Sequence, residues 1–144
     1  MSKILVVIDM QTEFLKQCRA ENLAADVEEK IRRRKSEGYE VLLTLDKSGG
    51  LLVDGIARES RGCKIYKKHS YGCKELILDL AAAQPEKVEF VGVCTDICVI
   101  ANVLGTMAFL PFAEISVDGS CCASADGGHS AALSVMRACN ITVS

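Results

Sequence analysis

Hydrophobic residues fall along this chain in short solid runs, separated by longer segments with helical spacing. "KILVVID" (3–9), "YEVLLTLD" (39–46), "KVEFVGVC" (87–94), "AEISVD" (113–118) and "ITVS" (141–144) each read as a strand. The first is apolar at every position from Ile4 to Ile8, the pattern of a strand covered on both faces in a parallel sheet. "CKIYK" (63–67) is weaker and is expected to be a sixth strand at an edge. Between the runs, residues 22–37 set Leu23, Val27 and Ile31 on one stripe and stop at Gly38. Residues 73–83 carry Leu76, Ile77 and Leu80 ahead of Pro85, and 96–109 and 128–138 supply two further helices. Strands alternating with helices predict a three-layer α/β/α domain around an open, mostly parallel sheet with right-handed crossovers.

Two segments depart from this rhythm. "DKSGGLLVDGIARESRG" (46–62) is polar and rich in Gly and reads as a long loop, a feature that in compact domains is usually functional or mobile. The helix over 96–109 is apolar almost all round, with Ile97, Val99, Ile100, Val103, Leu104 and Met107. Its second face is expected to bury against either a neighbouring helix or another subunit. No repeat or linker interrupts the pattern, so residues 1–144 are taken as a single domain.

Composition narrows the function classes. At 144 residues, a chain can bury roughly 70% of its unfolded surface without a staple. A net charge of −2 and a pI near 5.7 leave no electrostatic footprint for nucleic acid. The basic run Arg32-Arg33-Arg34-Lys35 is interleaved with Glu28, Glu29 and Glu37 and reads as a solvated helix face. The apolar stretch around 97–113 is broken by Asn102, Gly105, Thr106 and Pro111, so no membrane span is expected. Ile4–Ile8 is too short for a secretion signal and ends in Asp9. Eight scattered cysteines without that signal point to reduced thiols and a cytoplasmic location.

In an open α/β sheet, ligands bind beyond the carboxyl ends of the strands. Asp9 follows the first strand, Asp46 the second, Lys67, Lys68 and His69 the edge run, Cys94 to Cys98 the fourth, and Asp118, Ser120, Cys121 and Cys122 the fifth. Cys98 falls in the first turn of a helix with Thr95 or Asp96 as its expected cap, where free amides and the helix dipole are expected to lower a thiol's pKa. A nucleophile, a carboxylate base and a lysine would then meet from three strand ends. A buried Cys98 acting as a small hydrophobe fits the composition equally well.

The segments "ILVVIDMQTEF", "IYKKHSYG" and "VGVCTDICVIANV", with the tail "VDGSCCASADGGHSAALSVM", resemble the isochorismatase-like cysteine hydrolases, the superfamily that includes nicotinamidases and N-carbamoylsarcosine amidase. The resemblance implies a Rossmann-like, six-stranded parallel sheet in the order 3-2-1-4-5-6. It implies Asp9 as general base, Cys98 as nucleophile and a lysine between them. Lys68 fits the family's spacing with Tyr71 three residues on, whereas Lys67 puts Ser70 in the aromatic slot. The resemblance further implies a cis peptide between Val93 and Cys94, an oxyanion hole from the Cys94 and Cys98 amides, and pocket positions at Gln11, Phe14 and Tyr71.

The chain also departs from the family. It is short between residues 46 and 62, where nicotinamidases carry an Asp-x-His metal motif. Here Asp46 is followed by Lys47 and Ser48, and the chain's two histidines are His69 and His129. No metal and no cofactor are expected, and nicotinamide fits poorly as substrate. The expectation is a homo-oligomeric hydrolase that cleaves an amide-like C–N bond of a small molecule through a Cys98 thioester. The alternative is a catalytically idle member serving as a binding or assembly module. A thiol switch between Cys94 and Cys98 is a third reading, opposed by the geometry of a helix start. Cys121 and Cys122 are expected to pack at the rim, and His69 and His129 carry no assigned role.

Overall fold

The apolar runs become the six strands of one sheet in a computed structural model that describes residues 2–144. Met1, the first residue of the expected 1–144 domain, lies outside the described residues. The strands are β1 (Lys3–Ile8), β2 (Glu40–Asp46), β3 (Lys64–Lys68), β4 (Lys87–Val93), β5 (Glu114–Ala123) and β6 (Thr142–Val143). All pair in parallel, in the order β3-β2-β1-β4-β5-β6. The helices are α1 (Thr12–Gln17), α2 (Leu23–Ser36), α3 (Asp54–Glu59), α4 (Lys74–Ala83), α5 (Ile100–Phe109) and α6 (His129–Ala138).

Strand alternation divides the core between two faces. Ile4, Val6 and Ile8 of β1 pack with Leu76, Leu80, Val103 and Met136 under α4, α5 and α6. Leu5 and Val7 pack with Leu15, Val27, Ile31 and Ile56 under α1, α2 and α3. Each such side chain taken fully from water contributes about 1.5–3 kcal/mol. Because β1 is covered on both sides, its position in the sheet is strongly specified, and so is that of the residue that follows it.

Three expectations are corrected. The 46–62 segment is not structureless: α3 forms within it and rests on α2, with Ile56 fully buried. One apolar side chain, Ile56, is enough to anchor a single turn, which is why no long periodicity marks it. The helix expected from residue 96 opens instead as a π-helical turn over Thr95–Val99, in which the Val99 amide donates to the Cys94 carbonyl at 3.0 Å. Of the basic run, Arg32, Arg33 and Lys35 are exposed as expected, but Arg34 turns inward, as does Lys30 just before the run. Lys30 is buried between Glu89 at 3.0 Å and Asp118 at 2.7 Å, and the Arg34 guanidinium donates to Glu89 at 2.6 Å. Lys30 and Arg34 share the stripe of Val27 and Ile31, so their heads turn inward, and acidic residues on β4 and β5 meet them. The second face of α5 is covered in part by internal neighbours, with Ile77 of α4 packed against Gly105.

Candidate active site

The strand order reverses between β1 and β4, and the crevice beyond their carboxyl ends is where side chains from separate strands converge. Asp9 leaves β1 with φ of 50°, a left-handed conformation that an Asp tolerates better than most residues. Gly92 of β4 has φ of +125°, and any side chain there would collide with the Ile8 carbonyl. Gly at this position therefore lets β4 close up on the end of β1.

The Asp9 carboxylate is fully buried and held at both oxygens. Thr44 of β2 donates its hydroxyl to Oδ1 at 2.7 Å, and Lys68 Nζ lies 2.6 Å from Oδ2. Lys68, at the end of β3, also donates to the Tyr71 carbonyl at 3.1 Å. The Cys98 thiol lies near this pair, close enough for both charges to act on it. Lys67 is exposed and forms no ion pair with Asp9, although it lines a cavity of about 300 Å³ together with Lys68, Gln11, Asp46 and His69. The structure thus brings Asp9, Lys68 and Cys98 together and leaves Lys67 out.

Burial governs the electrostatics. It pushes the Asp9 carboxyl above its ordinary value, against the pull of Lys68 and Thr44. For Lys68, burial acts to lower the pKa but is outweighed by Asp9, and the ammonium is held above its usual value. Cys98 is pushed up to about 11, first by burial and then by the Asp9 charge, with Lys68 opposing. The expectation of a lowered thiol is therefore corrected. The helix-terminal amides do not compensate for loss of water beside a carboxylate, and Cys98 rests as a thiol.

Asn102 and Thr44 complete the arrangement and were not singled out by the sequence reading. Asn102 is fully buried in α5 and spends its whole amide on the site. It donates to the carbonyls of Cys98 at 2.8 Å and Tyr71 at 3.1 Å, and accepts from the Cys73 amide at 2.7 Å. It therefore ties the segment after Lys68 to the turn that carries Cys98. A polar residue inside each apolar run was the available signal.

The remaining site positions sort themselves around a second cavity of about 200 Å³, lined by Phe14, Gln17, Tyr71, Cys94, Ile97 and Cys98 among others. Phe14 and Tyr71 present aromatic walls. Gln11 is buried, and its amide is engaged with the 46–50 backbone, donating to the Asp46 and Gly50 carbonyls at 2.7 and 2.9 Å and accepting from the Asp46 amide at 2.9 Å. Its contribution to the pocket is the shape of that segment. The Val93–Cys94 peptide is cis, and Cys94 occupies the cap position of the π-turn. Neither Thr95 nor Asp96 caps it. Thr95 hydrogen-bonds His129 Nδ1 at 2.7 Å, and Asp96 accepts from the Ser124 hydroxyl at 2.9 Å. His129 thereby joins α6 to the turn. Cys121 and Cys122 are buried in β5. Among the described residues, no group of three or more His, Cys, Asp or Glu side chains is placed to hold a metal ion.

Solved structures share this architecture. A nicotinamidase from Staphylococcus aureus superposes with a TM-score of 0.81 at 21% identity, covering 100% of both chains. An N-carbamoylsarcosine amidase from Thermoplasma acidophilum gives 0.79 at 22%, over 99% of this chain and 95% of that one. A ribonuclease from Caenorhabditis elegans gives 0.87 at 16%, over 98% of this chain and 75% of its own. Likeness at these identities shows the fold alone, and one fold can carry different activities. No curated protein matches the chain. The isochorismatase domain model matches residues 3–144, nearly the whole chain, and the protein belongs to the isochorismatase domain family.

Proposed function

We propose that this protein is a cysteine hydrolase of amidase type, a single domain over residues 1–144, in which Cys98, Asp9 and Lys68 act on a small molecule bearing an amide-like C–N bond. The observation that carries this reading is the buried Asp9–Lys68 ion pair, 2.6 Å apart, set against the Cys98 thiol at the end of an open cavity. A purely structural cysteine has no use for a desolvated ion pair, and such pairs are a poor source of stability.

Because Cys98 rests as a thiol, its proton passes to the Asp9 carboxylate as Sγ attacks the substrate carbonyl carbon. The oxyanion that forms is met by the Cys94 and Cys98 backbone amides. The C–N bond breaks, the leaving nitrogen takes the proton from Asp9, and an acyl thioester remains on Cys98. Water then attacks that thioester and gives a proton to Asp9. The C–S bond breaks, the acid leaves and Cys98 regains its proton. Lys68 keeps Asp9 ionised between these transfers and holds the segment of Tyr71 through its carbonyl. Phe14 and Tyr71 flank the substrate, and Gln11 sets the pocket wall.

A panel of small primary amides, ureides and carbamoyl compounds, followed by ammonia release and by acid-quenched mass spectrometry, tests this directly. The expected result is turnover of at least one compound, with a transient acyl adduct on Cys98 and neither signal in Cys98→Ala. Turnover that survives Cys98→Ala overturns the mechanism. Absence of turnover and adduct across the panel returns the chain to the binding-module alternative. The assembly is proposed to be a homo-oligomer, because Leu78, Phe109 and Phe112 leave large apolar surface exposed beside α4 and α5. A clean monomer by sedimentation at micromolar concentration would remove that part.

A further inference from the structure

The mechanism above uses the backbone of Cys94 and leaves its thiol without a task. That thiol is not isolated. Cys18, at the C-terminal end of α1, places its sulfur 3.6 Å from the Cys94 sulfur across 76 residues of chain. Both residues are half-buried, so a small oxidant has access to them. A disulfide holds its sulfurs at about 2 Å, so the pair needs ~1.6 Å of approach, on the order of a side-chain rotation. The contact also spans the site: α1 carries Phe14 and Gln17, which face Cys94 and Cys98 across the 200 Å³ cavity.

We propose that Cys18 and Cys94 form an oxidation site, at which hydrogen peroxide converts the two thiols to a disulfide that ties α1 to the turn carrying Cys98. In the first step, the Cys94 sulfur attacks a peroxide oxygen. The O–O bond breaks, Cys94 becomes a sulfenic acid, and the departing hydroxide takes the thiol proton to leave as water. In the second step, the Cys18 sulfur attacks the Cys94 sulfur. The S–O bond breaks, and the hydroxide leaves with the Cys18 proton as a second water. Two thiols and one peroxide thus give one disulfide and two waters, each sulfur losing one electron and the peroxide gaining two.

The electrostatics favour Cys94 over its neighbours as the attacking sulfur. Its thiol is held below its ordinary value, chiefly by the hydrogen bond with Cys18, against burial and the charges of Asp96 and Asp126, while the same bond raises Cys18. Burial instead raises Cys98 and Cys121 to about 11 and Cys122 to about 12. Thiolate, not thiol, attacks peroxide. The proposed disulfide differs from a Cys94–Cys98 switch, because it closes the pocket wall and leaves Cys98 reduced.

The test treats the intact protein with one equivalent of hydrogen peroxide, alkylates with N-ethylmaleimide, and reads the mass and the non-reducing peptide map. The expected product lacks the mass of two hydrogens, takes up two fewer maleimides, contains a Cys18–Cys94 linked peptide, and returns to the starting state with dithiothreitol. In Cys18→Ser, whose hydroxyl can still donate to the Cys94 sulfur, with Cys18→Thr as a second variant should the first fold poorly, Cys94 is expected to stop at the sulfenic acid. Dimedone should then label it about tenfold more than any other cysteine. Linkage of a different pair, oxidation that spares Cys94, or no dimedone adduct in a folded Cys18 variant overturns the proposal. The linkage is read from mass alone, so it stands or falls separately from the hydrolase reading.

Discussion

Lys68 and Lys67 are adjacent in sequence and opposite in consequence. Lys68 is buried against Asp9, whereas Lys67 is exposed, although both line the same cavity. Lys68→Ala leaves a buried carboxylate without its cation and is expected to cost about 3–5 kcal/mol of stability, measured by urea unfolding. It should also abolish turnover, whereas Lys67→Ala should stay within about 0.5 kcal/mol of the parent and retain its activity. Equal losses from the two would contradict this assignment. Asp9 acts in the proposed reaction as an ionised base, and burial holds its carboxyl above the usual range. The acid limb of kcat/KM should therefore fall at higher pH than an ordinary aspartate's value of about 3.9. The residue types and their strand ends were legible in the sequence, through Asp9 after a solid apolar run and Cys98 after another. The direction of the Cys98 shift was not, because it depends on how much water the fold removes and on a charge brought from a different strand.

At the scale of elements, the site is held together by bonds between segments far apart in sequence. Asn102 of α5 joins the π-turn to the segment after β3, bridging residues up to 31 positions away. Asn102→Ala strands a buried carbonyl and a buried amide and is expected to cost about 2–4 kcal/mol. Its kcat should fall more than its KM changes, because the displaced partners are the turn of Cys98 and the carbonyl that holds Lys68. A loss of stability with kcat unchanged would reduce Asn102 to a packing role. The strands and main helices were readable because burial on two faces or one writes a period into the sequence. α1, α3 and the π-turn were not. Six residues in each of the first two and five in the last are too few for a period. The π-turn depends on which carbonyl the Val99 amide finds.

For the whole molecule, Lys30 is the hub that joins α2 to both β4 and β5. Glu89 is held below its ordinary value although burial acts to raise it, because Arg34 and Lys30 outweigh burial. Asp118 is held low in the same way, by Lys30 and Ser120. The folded state thus binds these two protons less tightly than the unfolded chain. The stability they confer is present above about pH 4.3 and lost as pH falls through their lowered folded values. Asp9, being raised, acts with the opposite sign. Lys30→Met is therefore expected to lose about 3–5 kcal/mol near neutral pH. Its deficit should shrink as pH falls and the stranded carboxylates take up protons, as followed by urea midpoints from pH 7 to 3. A deficit independent of pH would show that Lys30 contributes by packing alone.

The 46–53 segment is fastened to the rest of the site almost wholly by main-chain atoms. The Thr12, Glu13 and Val53 amides donate to the Leu51, Gly49 and Met10 carbonyls at 2.9, 3.0 and 3.1 Å, and Gln11 clasps the Asp46 and Gly50 backbone. Lys47 and Ser48 are exposed, and each lines one of the two cavities beside this segment. Shape at this rim is thus uncoupled from side-chain identity, which makes it an evolvable surface. A saturation library at 47 and 48 should keep its melting temperatures near the parent while redistributing preference among substrates, so new specificity is open to this scaffold without repairing the core.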